Sequence, residues 1–138
     1  MSLPAVNQQS IVGSFEVPKA RLWVGRVLLW LFFAFMAMDA GMHLAGPSFA
    51  VEATRKVGVD PSILLFLGIW EVIALVLLSL PRFRALGALL FTAYFGGAVA
   101  VHVMSGTPFV MAVAVAVALW AAVVCLQPNI SRALGLEE

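Results

Sequence analysis

The sequence predicts an all-α protein: a membrane four-helix up-down bundle, with a short amphipathic surface helix between helices 1 and 2. Three observations predict it. Of 138 residues, 63% are hydrophobic and only 11% are charged, against about 25% charged in a soluble domain. With a mean hydropathy of +1.06, so short a chain cannot clothe its core in polar side chains, and lipid must do it instead. Finally, the apolar residues fall into four runs of roughly 18 to 23 residues, each long enough to cross a hydrocarbon layer about 30 Å thick.

Residues 1–18 hold Asn7, Gln8, Gln9 and Ser10 between Pro4 and Pro18 and read as a flexible tail. The run that follows is too long for a signal peptide, and no small-x-small cleavage site precedes a polar mature region. Residues 19–127 read as one four-helix transmembrane domain, and 128–138 as a short C-terminal tail. The first span runs from Leu22 to Leu44, the second from Ser62 to Leu80, the third from Leu86 to Met104 and the fourth from Phe109 to Leu126. The fourth contains Ala112-Val113-Ala114-Val115-Ala116-Val117, whose alternation mimics a strand. The length of its run and the lack of other strands to close a barrel favour a helix.

The second and third spans are joined by Pro81-Arg82-Phe83-Arg84, the third and fourth by Ser105-Gly106-Thr107-Pro108. Turns this short force antiparallel neighbours. The connection 45–61 is longer, opening on Gly46-Pro47-Ser48 and stopping at Gly58 before Pro61. Between them Phe49, Ala50, Ala53 and Val57 share one side of the helical wheel, with Glu52, Arg55 and Lys56 on the other. That pattern predicts an amphipathic helix lying at the membrane surface and capping the bundle.

Lys19, Arg21, Arg26, Arg82, Arg84 and Arg132 all fall on the side that carries both termini. The other side has Arg55 and Lys56, balanced by Glu52 and Asp60. The positive-inside rule then predicts a multi-pass protein of the inner (plasma) membrane with both termini cytoplasmic. The net charge of +1 and the absence of a basic stripe give no case for nucleic acid. Cys125 is the single cysteine, which excludes thiol–disulfide exchange through an internal cysteine pair.

Four ionisable residues remain inside the runs: Asp39, His43, Glu71 and His102. A charge in the middle of a membrane helix costs a few kcal/mol on insertion scales, so such residues face the bundle interior and mark function. All four fall in the outer half of the bundle, with Glu71 deepest. Asp39 and His43 are four residues apart and share a helix face. Phe91, Phe95, Ala98 and His102 form a stripe on the third span, and Leu64, Gly68, Glu71 and Leu75 on the second. Ala34, Ala37, Gly41, Gly68, Gly96, Gly97 and Ala98 are small enough for close helix approach. The resulting expectation is an outward-opening pocket with Glu71, His102, His43 and Asp39 as its catalytic groups. Trp70, Tyr94, Phe95 and Met42 would contact the ligand, although Tyr94 stands roughly 80° around the wheel from His102 at about 100° per residue.

Three readings of this set stay open. In the first, a buried carboxylate holds a proton that a neighbouring imidazole exchanges, supporting acid/base or redox chemistry on a small apolar or quinone-like molecule. This describes a membrane oxidoreductase, or an isomerase or hydrolase; Glu71 would hold the proton, and Asp39 would fix the tautomer of His43. In the second, the polar residues lock helices together in a non-catalytic subunit or assembly partner of an oxidoreductase complex, or in a homo-oligomer. The partner would cover the amphipathic helix or the Ala-Val surface of the fourth span. In the third, His43, His102, Glu71 and Asp39 ligate a metal, or the two His hold haem. Met36, Met38, Met42 and Met104 would suit copper if they gathered, but Met more often fills gaps. The sequence itself requires no cofactor.

Several motifs also occur in a recognisable order: Lys56-Val57-Gly58-Val59-Asp60-Pro61, then Leu67-Gly68-Ile69-Trp70-Glu71, then Leu80-Pro81-Arg82-Phe83-Arg84-Ala85-Leu86-Gly87-Ala88, then Gly97-Ala98 and His102. This order resembles the DoxX-like family of small four-helix membrane proteins, over about Phe32 to Met104. The resemblance implies the four-helix fold and carries Glu71 and His102 over as the family's polar positions. The family takes its name from a subunit of a membrane thiosulfate:quinone oxidoreductase. The chain departs from the pattern at the end of its first span, where many relatives carry Gly-x-x-Lys. Here Gly41 is followed by Met42, His43 and Leu44.

Overall fold

The computed structural model describes residues 18–136, and among these the regular structure is entirely helical. Of the tail read at 1–18, residues 1–17 lie outside the described part, as do the last two residues. The elements are α1 (Lys19–Ala45), α2 (Ser48–Lys56), α3 (Ile63–Ser79), α4 (Arg84–Met104), α5 (Val110–Leu126) and α6 (Pro128–Ala133). The four apolar runs are α1, α3, α4 and α5. The Ala-Val repeat is helical within α5, as its setting demanded. The segment read as a C-terminal tail holds α6, a single short helix opened by Pro128, whose ring fixes φ where no amide partner is needed. α1 ends on Gly46, which turns left-handed (φ 56°) and returns its amide to Met42 O, letting the chain swing directly into α2.

The four long helices close a ring of contacts. α1 packs on α3 and α5, and α4 packs on the same two. Hydrogen bonds pin one end of the ring. Arg21 at the start of α1 donates to Val124 O near the end of α5, and Gln127 donates to Pro81 O in the α3–α4 turn. The core is made of Phe32, Met36, Ala74, Leu75, Leu78, Ala88, Phe91, Phe95, Leu119 and Val123. Its centre is aromatic: Phe32 meets Phe91 edge-on at 5.0 Å, and Phe95 meets Tyr94 at 5.3 Å.

Three glycines set how close the helices come, Gly25 among them, where a Cβ would stand 2.8 Å from Cys125 Cβ on α5. A Cβ on Gly87 would stand 2.5 Å from Leu78 N and 2.8 Å from Ala74 O, so α4 lies directly on the α3 backbone. A Cβ on Gly68 would meet Leu44 Cγ at 2.8 Å and Leu44 N at 3.0 Å, so the last turn of α1 lies directly on α3. Gly41, Gly96 and Gly97 border open space instead. Of the glycines expected at helix crossings, only Gly68 serves there; Gly25 and Gly87 are the other two close approaches.

The outside of the ring is apolar. Trp30 is 74% exposed, Met111 70% and Trp23 67%. α1 and α4 are each long and apolar enough to cross a membrane, while α3 and α5 are apolar helices of 17 residues. α2 buries none of its residues, and Phe49 is exposed. The expected cap therefore covers the ring only loosely.

Candidate functional site

Glu71 is the ninth of the seventeen residues of α3 and is fully buried. Gly68, one turn earlier on the same face, admits the end of α1 and so carries His43 to it. His43 Nδ1 lies 2.9 Å from Glu71 Oε1, and a proton on that nitrogen is donated to the carboxylate. Glu71 Oε2 is buried and makes no hydrogen bond. Asp39, one turn before His43, accepts a 3.0 Å hydrogen bond on Oδ2 from the Tyr94 hydroxyl of α4. Asp39, His43 and Glu71 each place a ligand-type atom within 4.8 Å of the other two. Three helices therefore deliver one cluster: Asp39 and His43 from α1, Glu71 from α3, Tyr94 from α4.

The arrangement sorts the residues chosen from sequence. Asp39, His43 and Glu71 come together. His102 does not join them; its Nδ1 lies 2.7 Å from Thr107 Oγ1, which also pairs with Ser105 Oγ at 2.8 Å. The partner of His43 Nδ1 is Glu71, not the Asp39 expected to hold that ring. Tyr94, placed on the wheel by its offset from His102, in fact answers to Asp39. That pairing is invisible to single-helix periodicity because it depends on how α4 is rotated against α1. The methionines do not gather: Met36 is in the core, Met38 and Met104 are exposed, and Met42 is half-buried.

Beside the cluster lies a cavity of about 500 Å³, in the range of small-molecule sites. Its wall is mostly apolar, with His43, Tyr94, Trp70 and His102 on it and Thr54 of α2 completing it. Trp70 is held by a hydrogen bond from its Nε1 to Leu90 O. His43 and His102 thus share one cavity without sharing one cluster. Two expected ligand contacts are absent from this wall. Phe95 is in the core and edges a second, more open groove between α4 and α5, and Met42 lines neither space.

The fold and site define a small helical protein with an ionisable cluster set into an otherwise apolar ring of four helices. The chain belongs to the DoxX-like family, whose model matches residues 27–124 and so takes in every residue of the cluster together with His102. No curated protein and no solved structure matches the chain.

Proposed function

We propose that the chain is a multi-pass inner-membrane protein whose cavity binds a small apolar or quinone-like molecule. α1, α3, α4 and α5 form an up-down bundle in the lipid, with both termini cytoplasmic. The apolar exterior supports this reading. Only 17% of the most apolar stretch of α1 and 22% of that of α4 are buried within the protein, whereas the core helix of a soluble protein is mostly buried. Arg21, Arg82, Arg84 and Arg132 cluster at the end pinned by the Arg21 and Gln127 hydrogen bonds, in keeping with a cytoplasmic face. Single cysteines test it: in a Cys125→Ala background, Ser48→Cys is labelled by an impermeant maleimide from outside intact cells, and Asn129→Cys only after permeabilisation. The reverse pattern refutes the orientation.

One observation carries the ligand reading: a fully buried carboxylate is hydrogen-bonded to an imidazole that forms part of a cavity wall. Buried ionisable groups are expensive in a membrane and are kept for function. In this reading His43 meets the polar atom of the ligand, Glu71 behind it accepts or returns the proton, and Tyr94 and Asp39 hold the cluster's second side. His102 contacts the ligand at the other polar point of the wall, and Trp70 packs against its apolar body. The chemistry is acid/base or redox-coupled proton transfer to the bound molecule.

Trp70 provides the assay. A short-chain benzoquinone titrated into purified protein should quench tryptophan fluorescence saturably, with most of the quenching lost in Trp70→Phe. Glu71→Gln, nearly isosteric, should weaken the probe about tenfold, a loss of about 1.4 kcal/mol. Non-saturable quenching, unchanged by either substitution, would overturn the reading.

A further inference from the structure

We infer that Asp39, His43 and Glu71 form a binding site for one divalent transition-metal ion. The inference concerns the cluster alone and stands or falls separately from ligand binding in the cavity.

Three observations lead to it. The first is the donor set. One imidazole nitrogen and two carboxylate oxygens suit Zn²⁺, Mn²⁺ or Fe²⁺, and the three residues offer atoms within 4.8 Å of one another. With bonds of about 2.1 Å, neighbouring ligands of one ion stand about 3.0 to 3.4 Å apart. The 2.9 Å between His43 Nδ1 and Glu71 Oε1 is already near that edge, and small side-chain rotations complete the set.

The second is the unpartnered oxygen. Glu71 is fully buried, yet only Oε1 has a hydrogen-bond partner. An orphaned carboxylate oxygen in an apolar interior carries its full desolvation cost, and a cation at the cluster removes it. The third is charge. Asp39 and Glu71 as metal ligands would bring two negative charges. A divalent ion with neutral His43 makes the cluster neutral, the favoured state in a low-dielectric interior.

The surroundings fit as well. The Tyr94 hydroxyl, donating to Asp39 Oδ2, orients that ligand as an outer hydrogen bond commonly does at metal sites. His43 lies on the cavity wall, so the ion's remaining positions are within reach of water or of a cavity ligand. Water on such an ion becomes markedly more acidic, and the ion supplies acid/base chemistry without a proton stored on Glu71. His102 is not a ligand; its Nδ1 belongs to Thr107.

The test uses the full-length protein in detergent, stripped with chelator and loaded with Co²⁺. One Co²⁺ per chain by elemental analysis, with a visible absorption band, is expected. Affinity should fall at least about 100-fold in Glu71→Gln and in Asp39→Asn, beyond the 10- to 100-fold typical of outer-shell changes. His102→Gln should keep the ion. Folded wild-type protein that binds no stoichiometric Co²⁺ overturns the inference. So does an ion that survives in either cluster variant, and the two variants guard against one failing to fold. Metal binding without benzoquinone quenching leaves this site standing and removes the ligand reading; quenching without metal does the reverse.

Discussion

Gly68→Ala should separate the packing of the cluster from its chemistry. The new Cβ would lie 3.0 Å from the backbone nitrogen of Leu44 and 2.8 Å from its Cγ, where ordinary contact begins at 3.4 Å. The Leu44 side chain can rotate, but its backbone cannot, so the last turn of α1 must withdraw by about 0.4 Å or more. The His43–Glu71 hydrogen bond, 2.9 Å long, then stretches beyond the roughly 3.2 Å at which N–H···O bonds remain good. Three terms compete. Overpacking costs about 1 to 3 kcal/mol. An interhelical hydrogen bond in a membrane protein is worth about 0.6 to 1.7 kcal/mol. Ala in place of Gly returns up to about 1 kcal/mol of helix propensity. The steric and hydrogen-bond terms win, for a net loss of about 1 to 3 kcal/mol. Gly41→Ala is the control: it lies on α1 two residues from His43, borders open space and receives only the propensity gain. In a thermal-unfolding assay in detergent, Gly68→Ala should melt below wild type and Gly41→Ala at or above it. Benzoquinone affinity should drop about tenfold in the first and hold in the second. Equal behaviour of the two variants would refute the claim that Gly68 sets the geometry of the cluster.

Gly87→Ala should be harsher, because the atoms in the way are all α3 backbone; a loss of about 3 kcal/mol or more is expected, read as collapse of the monodisperse peak in size exclusion. Tyr94→Phe removes the hydroxyl that orients Asp39 and should lower thermal stability by about 1 kcal/mol; no change in melting would show that the bond contributes nothing. Asp60, outside the membrane helices, accepts the Ser62 amide at 2.8 Å, and that bond holds its carboxyl below the ordinary 3.8. A depressed folded-state value means the bond's contribution is complete above about pH 3.8 and is lost as pH falls further. Protection of the Ser62 amide from hydrogen exchange should therefore fade only below that pH, and Asp60→Asn should abolish the pH dependence while keeping the turn.

The helices were legible because length and hydropathy decide them locally. Each apolar run became one helix, and Gly46, Gly58 and Pro128 sit at the boundaries that their backbone preferences dictate. The polar residues Asp39, His43 and Glu71 were legible for a different reason: in so apolar a chain an ionisable residue is conspicuous, and expense implies purpose. What could not be read was the rotation of each helix about its own axis. His102 is as conspicuous as His43, yet its ring turns to Thr107. Phe95 lies on the expected stripe, yet its ring is in the core while Ala98 and His102 of the same stripe line the cavity. Tyr94 pairs with a residue 55 positions away. Rotation is set by where the backbones can approach most closely. That depends on Gly25, Gly68 and Gly87, and helical periodicity alone does not distinguish them from Gly41 or Gly96, which border open space.

The departure at the end of α1 fits this geometry. Family resemblance leads one to expect Gly-x-x-Lys there, which would place the lysine at position 44. In this chain position 44 is Leu, and its side chain lies against Gly68. From that position a lysine's long stem would cover Gly68 and carry its ammonium toward the end of the helix, outside the Asp39–Glu71 pair. The residue that reaches Glu71 is instead His43, one position earlier and four after Asp39. An imidazole at this point differs from an ammonium: its neutral form offers a nitrogen to a cation, and it can accept or donate a proton. Lysine at position 44 could neutralise the carboxylates only as a fixed positive charge. On the readings proposed above, His43 beside Leu44 is the residue that would exchange a proton, or hold a metal ion, next to the cavity it borders.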